Sequence, residues 1–157
     1  AEGRALNYSA PIRLIRALLP RMQARGAGAH SVNISSVAAR LCPAGEAAYA
    51  ASKAAVTAFS ECLAIEVWDS PVSVHVVNPG VIDTELFSLP GNDPLKADIA
   101  PEDPRIVVDA VLDQLASGTF EVYVPGYFED FATGKATNLQ EFLGGSAEYW
   151  QSTQEQP

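Results

Sequence analysis

Basic residues are scarce in this 157-residue chain: ten Lys and Arg stand against nineteen Asp and Glu, a net charge of −9. A surface of that sign repels phosphate, which argues against nucleic acid as a partner and against an anionic membrane face. Cysteine is nearly absent. Cys42 and Cys62 make no disulfide framework. Their spacing fits no metal motif, and His30 and His75 stand apart in sequence, so no metal site is expected. Unpaired thiols of this kind read as a reducing, cytoplasmic setting. No apolar run approaches the roughly 20 residues that a membrane span needs. The N-terminus also lacks the basic-then-apolar pattern of a secretory leader.

What is present is the composition of a globular domain, 48% hydrophobic and 18% charged. Leu6, Ala10, Leu14, Ala17, Leu18 and Met22 recur at helical spacing and predict a helix over 6–25. Pro11 is tolerable only near its first turn, so the stretch before it reads as irregular. Gly26 and Gly28 end it. Residues 30–35 are β-prone and predict a buried strand; 37–45, with Pro43 and Gly45, predict a loop. An alanine-rich stretch without internal Gly or Pro predicts a long helix over 46–68. A second strand is expected over 72–77, ended by Asn78-Pro79-Gly80, then a variable loop over 81–100. A helix over 106–115 closes at Gly118, and a strand over 120–124 ends at Pro125-Gly126. The tail reads as weakly helical around 138–143, with a frayed end from 151 onward. Helix and strand alternate throughout, which implies an α/β fold with a parallel sheet covered by helices. The first helix begins so close to Ala1 that the chain reads as starting at the edge of an internal helix.

One local pattern points to chemistry. In Tyr49-Ala50-Ala51-Ser52-Lys53, a phenol and an ammonium lie four residues apart on one helical face. A free tyrosine, with a pKa near 10, is a poor base at neutral pH, and a nearby ammonium lowers that value. Such a pair can pass a proton to or from a substrate oxygen. Taken alone it is equally an ordinary surface pair. Ser36 lies at the carboxyl end of the first strand, where ligands bind in open α/β sheets, or is simply a turn serine. Pro79-Gly80, followed by Thr84, lets backbone approach a flat ligand, or is a plain strand exit.

Together, in this order and spacing, these pieces resemble the short-chain dehydrogenase/reductase family over most of residues 7–124. The resemblance implies a Rossmann-like, doubly wound parallel sheet that is incomplete here, corresponding to the C-terminal half of the family fold. It implies Tyr49 as general acid/base, Lys53 as the group that lowers its pKa and bonds the nicotinamide ribose, and Ser36 as the donor that orients the substrate oxygen. Asn7, upstream of Leu19-Pro20, matches the family's fourth catalytic residue, which holds a water linking Lys53 to solvent. Ser35, Tyr49, Lys53, Pro79, Gly80, Ile82 and Thr84 would meet the cofactor, NAD or NADP. Residues 81–100 would form the substrate lid, with Leu86, Phe87 and Leu89 suggesting an apolar alcohol or carbonyl compound.

The departures are as specific. No glycine here sits in G-x-x-x-G-x-G, the turn that grips pyrophosphate at a helix N-terminus. The family's N-A-G segment is also missing. Each βαβ unit takes about 30 or more residues, so on the order of 90 residues of the family pattern lie outside this chain. Arg40 stands near a position where many relatives have glycine. Residues 1–126 thus read as a partial catalytic domain and 127–157 as a C-terminal extension, a pocket wall or surface tail. The family reading implies an alcohol–carbonyl oxidoreductase with a small-molecule substrate, the chain alone being inactive for want of the phosphate grip. The alternative is a non-catalytic interaction module derived from that fold. The resemblance implies a homodimer or homotetramer through helices 10–25 and 46–68, and the module would pair through them with a full-length relative.

Overall fold

The computed structural model describes residues 5–26, 28–85 and 99–154. A π-helical turn, Ala5–Ser9, leads into α1, Ala10–Ala24. Pro11 sits in the first turn of α1, where its missing N–H has no intrahelical acceptor to lose. Then follow β1 (Ala29–Ile34), α2 (Ala38–Leu41), α3 (Ala47–Glu66), β2 (Val72–Pro79), α4 (Arg105–Ser117) and β3 (Glu121–Val124). Two further helices, α5 (Phe128–Thr137) and α6 (Leu139–Gln154), complete the described chain.

The strands form one sheet in the order β1-β2-β3, and both pairings are parallel. This is the Rossmann-like arrangement expected, with fewer strands than a full doubly wound sheet. β2 is the centre: Val74 to Asn78 are buried without a break, as a strand covered on both faces must be. Ala29, Val72 and Val74 share one sheet face with Leu63 and Val67 of α3, and Ile15, Leu19 and Met22 of α1 pack on that cluster. α4 packs against β2 and β3. Gly118 caps α4 at φ 76°, a left-handed position suited to glycine.

Two expectations need correction. Residues 37–45 are not all loop, because α2 forms within them. The Ser36 hydroxyl accepts the Ala38 amide at 3.1 Å and so caps this short helix from its start. The tail is also far more helical than its sequence suggests. α5 and α6 run almost continuously from Phe128 to Gln154, past the expected frayed end at 151. Their propensity is modest, and contacts with the body supply the rest: Phe128 is buried against Gly80, and the Trp150 ring lies over Gly45. The expected boundary at 126/127 falls between β3 and α5. Most of the expected lid, including Leu86, Phe87 and Leu89, lies outside the described residues.

Candidate active site

β1 and α3 are joined by a polar seam that orients everything else. Asn33 and Ser35 alternate along β1, so both face the same way. Lys53, Thr57 and Ser60 follow one another at helical spacing on α3. Asn33 Nδ2 donates to Ser60 Oγ at 2.9 Å, and the Ser35 and Thr57 hydroxyls bond at 2.8 Å. Lys53 Nζ donates to the Ile34 carbonyl at 3.1 Å. The seam fixes the rotation of α3, and with it the direction of Tyr49 and Lys53.

Ser36 follows directly. Its hydroxyl lies 3.5 Å from the Pro79 carbonyl, while the Val37 amide donates to that same carbonyl at 2.9 Å. The end of β1 is therefore tied to the Pro79-Gly80 turn. From this position the Ser36 hydroxyl acts on the Tyr49 phenol and pulls its pKa down. Ser36, Tyr49, Lys53 and Pro79-Gly80 thus meet at the carboxyl ends of two neighbouring parallel strands. Ser35 is beside them, but its hydroxyl is engaged with Thr57 and the Lys53 carbonyl inside the seam. Asn7 reaches the same helix, its Nδ2 3.5 Å from Ser52 Oγ, and Ser52 in turn donates to the Tyr49 carbonyl at 2.7 Å. Ile82 is half-buried and bridges to Glu102, and Thr84 is exposed.

Burial pushes the Tyr49 phenol above its ordinary value, the Ser36 hydroxyl pulls it down, and the Glu46 carboxylate pushes it up again. Burial also lowers Lys53. Nζ stands 5.9 Å from the centroid of the Tyr49 ring and bonds a backbone carbonyl.

Several participants have no motif. Phe128 fills the space beside Gly80, where a Cβ would come within 3.0 Å of its Cζ atom. The expected open approach over Gly80 is therefore partly taken by this ring. Asn78, fully buried, donates to Glu121 Oε1 at 2.7 Å. Glu121 also receives the Arg40 guanidinium, through Nε at 3.0 Å and Nη2 at 3.1 Å. The only sequence signal for this group was the charge itself, since its members lie far apart in the chain. No cluster that could hold a metal ion occurs among the described residues.

Known proteins resemble this chain in sequence and fold. The family model described as short chain dehydrogenase matches residues 4–92, more than half of this chain. The chain belongs to the short-chain dehydrogenase family. Within it, the rat protein named dehydrogenase/reductase SDR family member 7B is 46% identical over 81 residues, covering 52% of this chain and 25% of that protein. The probable oxidoreductase EphD of Mycobacterium tuberculosis is 39% identical over 99 residues, or 60% of this chain and 17% of that one. A short chain dehydrogenase from Burkholderia cenocepacia, solved in complex with NADP, superposes with a TM-score of 0.76 at 31% identity, over 91% of this chain and 56% of that one. A relative from Burkholderia phymatum, solved with NAD, shares the fold at a TM-score of 0.75 and 18% identity. This short-chain dehydrogenase chain thus spans about a quarter of the rat relative and little more than half of the solved structures. No described helix is long and apolar enough to cross a membrane.

Proposed function

We propose that this chain carries the proton-transfer half of an NAD(P)-dependent oxidoreductase that interconverts an alcohol with a ketone or aldehyde. The observation that carries the reading is the gathering of Ser36, Tyr49 and Lys53 at the carboxyl ends of β1 and β2, with Lys53 on the Ile34 carbonyl and beside the Tyr49 ring, and Ser36 against Pro79. A hydroxyl and a phenol converging there can grip one substrate oxygen from two sides.

The residues present fit the nicotinamide end of such a cofactor. Lys53 offers an ammonium that donates to a backbone carbonyl, and Pro79-Gly80 lies next to Ser36. They do not fit the phosphate end, because no glycine in the sequence belongs to a G-x-x-x-G-x-G turn. When bound, NAD or NADP supplies or accepts the hydride. The chain's own part is then proton handling. Ser36 donates to the substrate oxygen and fixes its position. Tyr49 gives that oxygen a proton during reduction and removes it during oxidation. Lys53, freed from Ile34, holds the ribose and favours the phenolate. Asn7, through Ser52, steadies the helix that bears both. Ser35, Ile82 and Thr84 complete the cofactor wall in this reading.

The complete protein should show nicotinamide-dependent turnover of a small apolar alcohol or carbonyl compound, followed by nicotinamide absorbance. The isolated chain should show none, for lack of the phosphate grip. Absence of turnover in the complete protein across such substrates would refute the reading. The interaction-module alternative draws on exposed apolar side chains, Leu14 and Leu18 on α1 and Ile65 and Trp68 at the end of α3. A dimer through those helices is compatible with both readings. A cytoplasmic setting belongs to the same proposal and rests on the free thiols of Cys42 and Cys62.

A further inference from the structure

We infer that Arg40 is a positioning residue, which braces Ser36 against Tyr49 from the far end of α2. The inference rests on the role proposed above for those two groups. α2 is a single turn, Ala38–Leu41, with Ser36 at one end and Arg40 at the other. At the near end, Ser36 receives the Ala38 amide on its hydroxyl and the Ala39 amide on its carbonyl, at 3.1 and 3.0 Å. Any tilt of α2 therefore moves the Ser36 hydroxyl.

The far end is held by one guanidinium on two other elements. Arg40 makes a two-point fork to Glu121 on β3, and its Nη2 also donates to Glu61 on α3. Forked arginine–carboxylate pairs fix orientation as well as distance, which a single ammonium cannot do. Glu121 passes the constraint on through Asn78 Nδ2 at 2.7 Å, and Asn78 immediately precedes Pro79-Gly80. Four elements are thus referenced to one side chain: the turn bearing Ser36, the helix bearing Tyr49 and Lys53, the Pro79-Gly80 turn, and β3. Arg40 is also half-buried, with 32% of its side chain exposed, so solvent screening of the cluster is incomplete. A rigid support of this kind matters because a misplacement of about 1 Å can cost on the order of 10²-fold in rate.

The readout is the titration of Tyr49 itself. The groups that act on it are Ser36 from the end of β1 and Glu46 at the N-cap of α3, and the Lys53 ammonium of α3 faces its ring. Ser36 is the one that Arg40 steadies, and it pulls the phenol pKa down. Loosening Ser36 should therefore raise the Tyr49 midpoint. The full-length protein would be labelled with ¹³Cζ-tyrosine and the Tyr49 signal assigned by its loss in Tyr49→Phe. Arg40→Met should raise the midpoint, and Arg40→Lys, which keeps the charge without the fork, should recover it only in part. Glu121→Gln supplies the same test if Arg40→Met does not fold. In turnover, Arg40→Met should lower kcat by about 10–100-fold with cofactor affinity retained. A folded Arg40→Met protein with an unmoved Tyr49 midpoint overturns the inference, whether or not the wild type turns over substrate. A midpoint shifted by Arg40→Met, together with a wild type that transfers no hydride, would instead remove the proposed function and keep the brace.

Discussion

Phe128 occupies the space that a side chain at Gly80 would need. A Cβ added there would overlap the ring, at 3.0 Å from Cζ and 3.2 Å from Cδ2. Phe128 is itself 5% exposed and stands at the first residue of α5. The contact therefore joins the tail to the turn that follows β2, and it makes the smallness of Gly80 a packing requirement.

Gly80→Ala should destabilise the protein by about 1–3 kcal/mol through overpacking. Phe128→Ala should cost about 3–5 kcal/mol by leaving a cavity. Because the two residues touch, the pair should not be additive: Gly80→Ala should cost much less in a Phe128→Ala background. Urea denaturation of the four proteins in the cycle measures this. Strict additivity would mean that the ring and the glycine do not share the space described.

Tyr49→Phe in the complete protein should lower turnover by about 10²–10⁴-fold, the usual scale for a general acid/base. Cofactor affinity should stay within a small factor, since the lost hydroxyl is a proton carrier in this reading. Turnover at the wild-type level would remove Tyr49 from the mechanism.

Alkaline stability should depend on Tyr123. Burial, then the neighbouring Glu121 carboxylate, pushes its phenol from 10.0 up to about 12, against a smaller downward pull from Arg40. The folded pKa is thus above the unfolded one. Stability is fully present below about pH 10 and falls as pH rises toward about 12, because the unfolded chain ionises first. Tyr49 shifts in the same direction and adds to the loss. Tyr123→Phe should flatten this fall in a series of melting curves. An unchanged slope would show that Tyr123 is not held in that environment.

Self-association should run through the exposed apolar side chains of α1 and α3. Leu14 is 61% exposed, and Ile65 and Trp68 are more so. Leu14→Glu or Ile65→Glu should shift a dimer or tetramer of the complete protein toward monomer in light scattering, with little change in secondary structure. A wild type that is already monomeric would exclude this surface as an interface.

Much of the fold was legible because it follows from local rules. The long helix around Tyr49 has alanine and no internal breaker, and the strand 72–77 is an unbroken β-branched run apart from Ser73 and His75. Both emerged within a few residues of their expected bounds. α2 was not legible, because its stability comes from a capping hydroxyl and from Arg40 partners more than twenty residues away. The tail was misjudged for a similar reason. Its helices depend on Phe128 and Trp150 meeting Gly80 and Gly45, and neither glycine advertises an aromatic partner.

Sequence alone determined that a phenol and an ammonium share one helical face, since 3.6 residues per turn places positions four apart together. It also determined the alternation of helix and strand, and hence a parallel sheet. Tertiary structure decided which way that face points, through the Asn33–Ser60 and Ser35–Thr57 bonds. It also decided the balance of charge at Tyr49. Burial and the nearness of Ser36 are properties of groups brought together across the chain, and no spacing rule encodes how much water a folded site excludes.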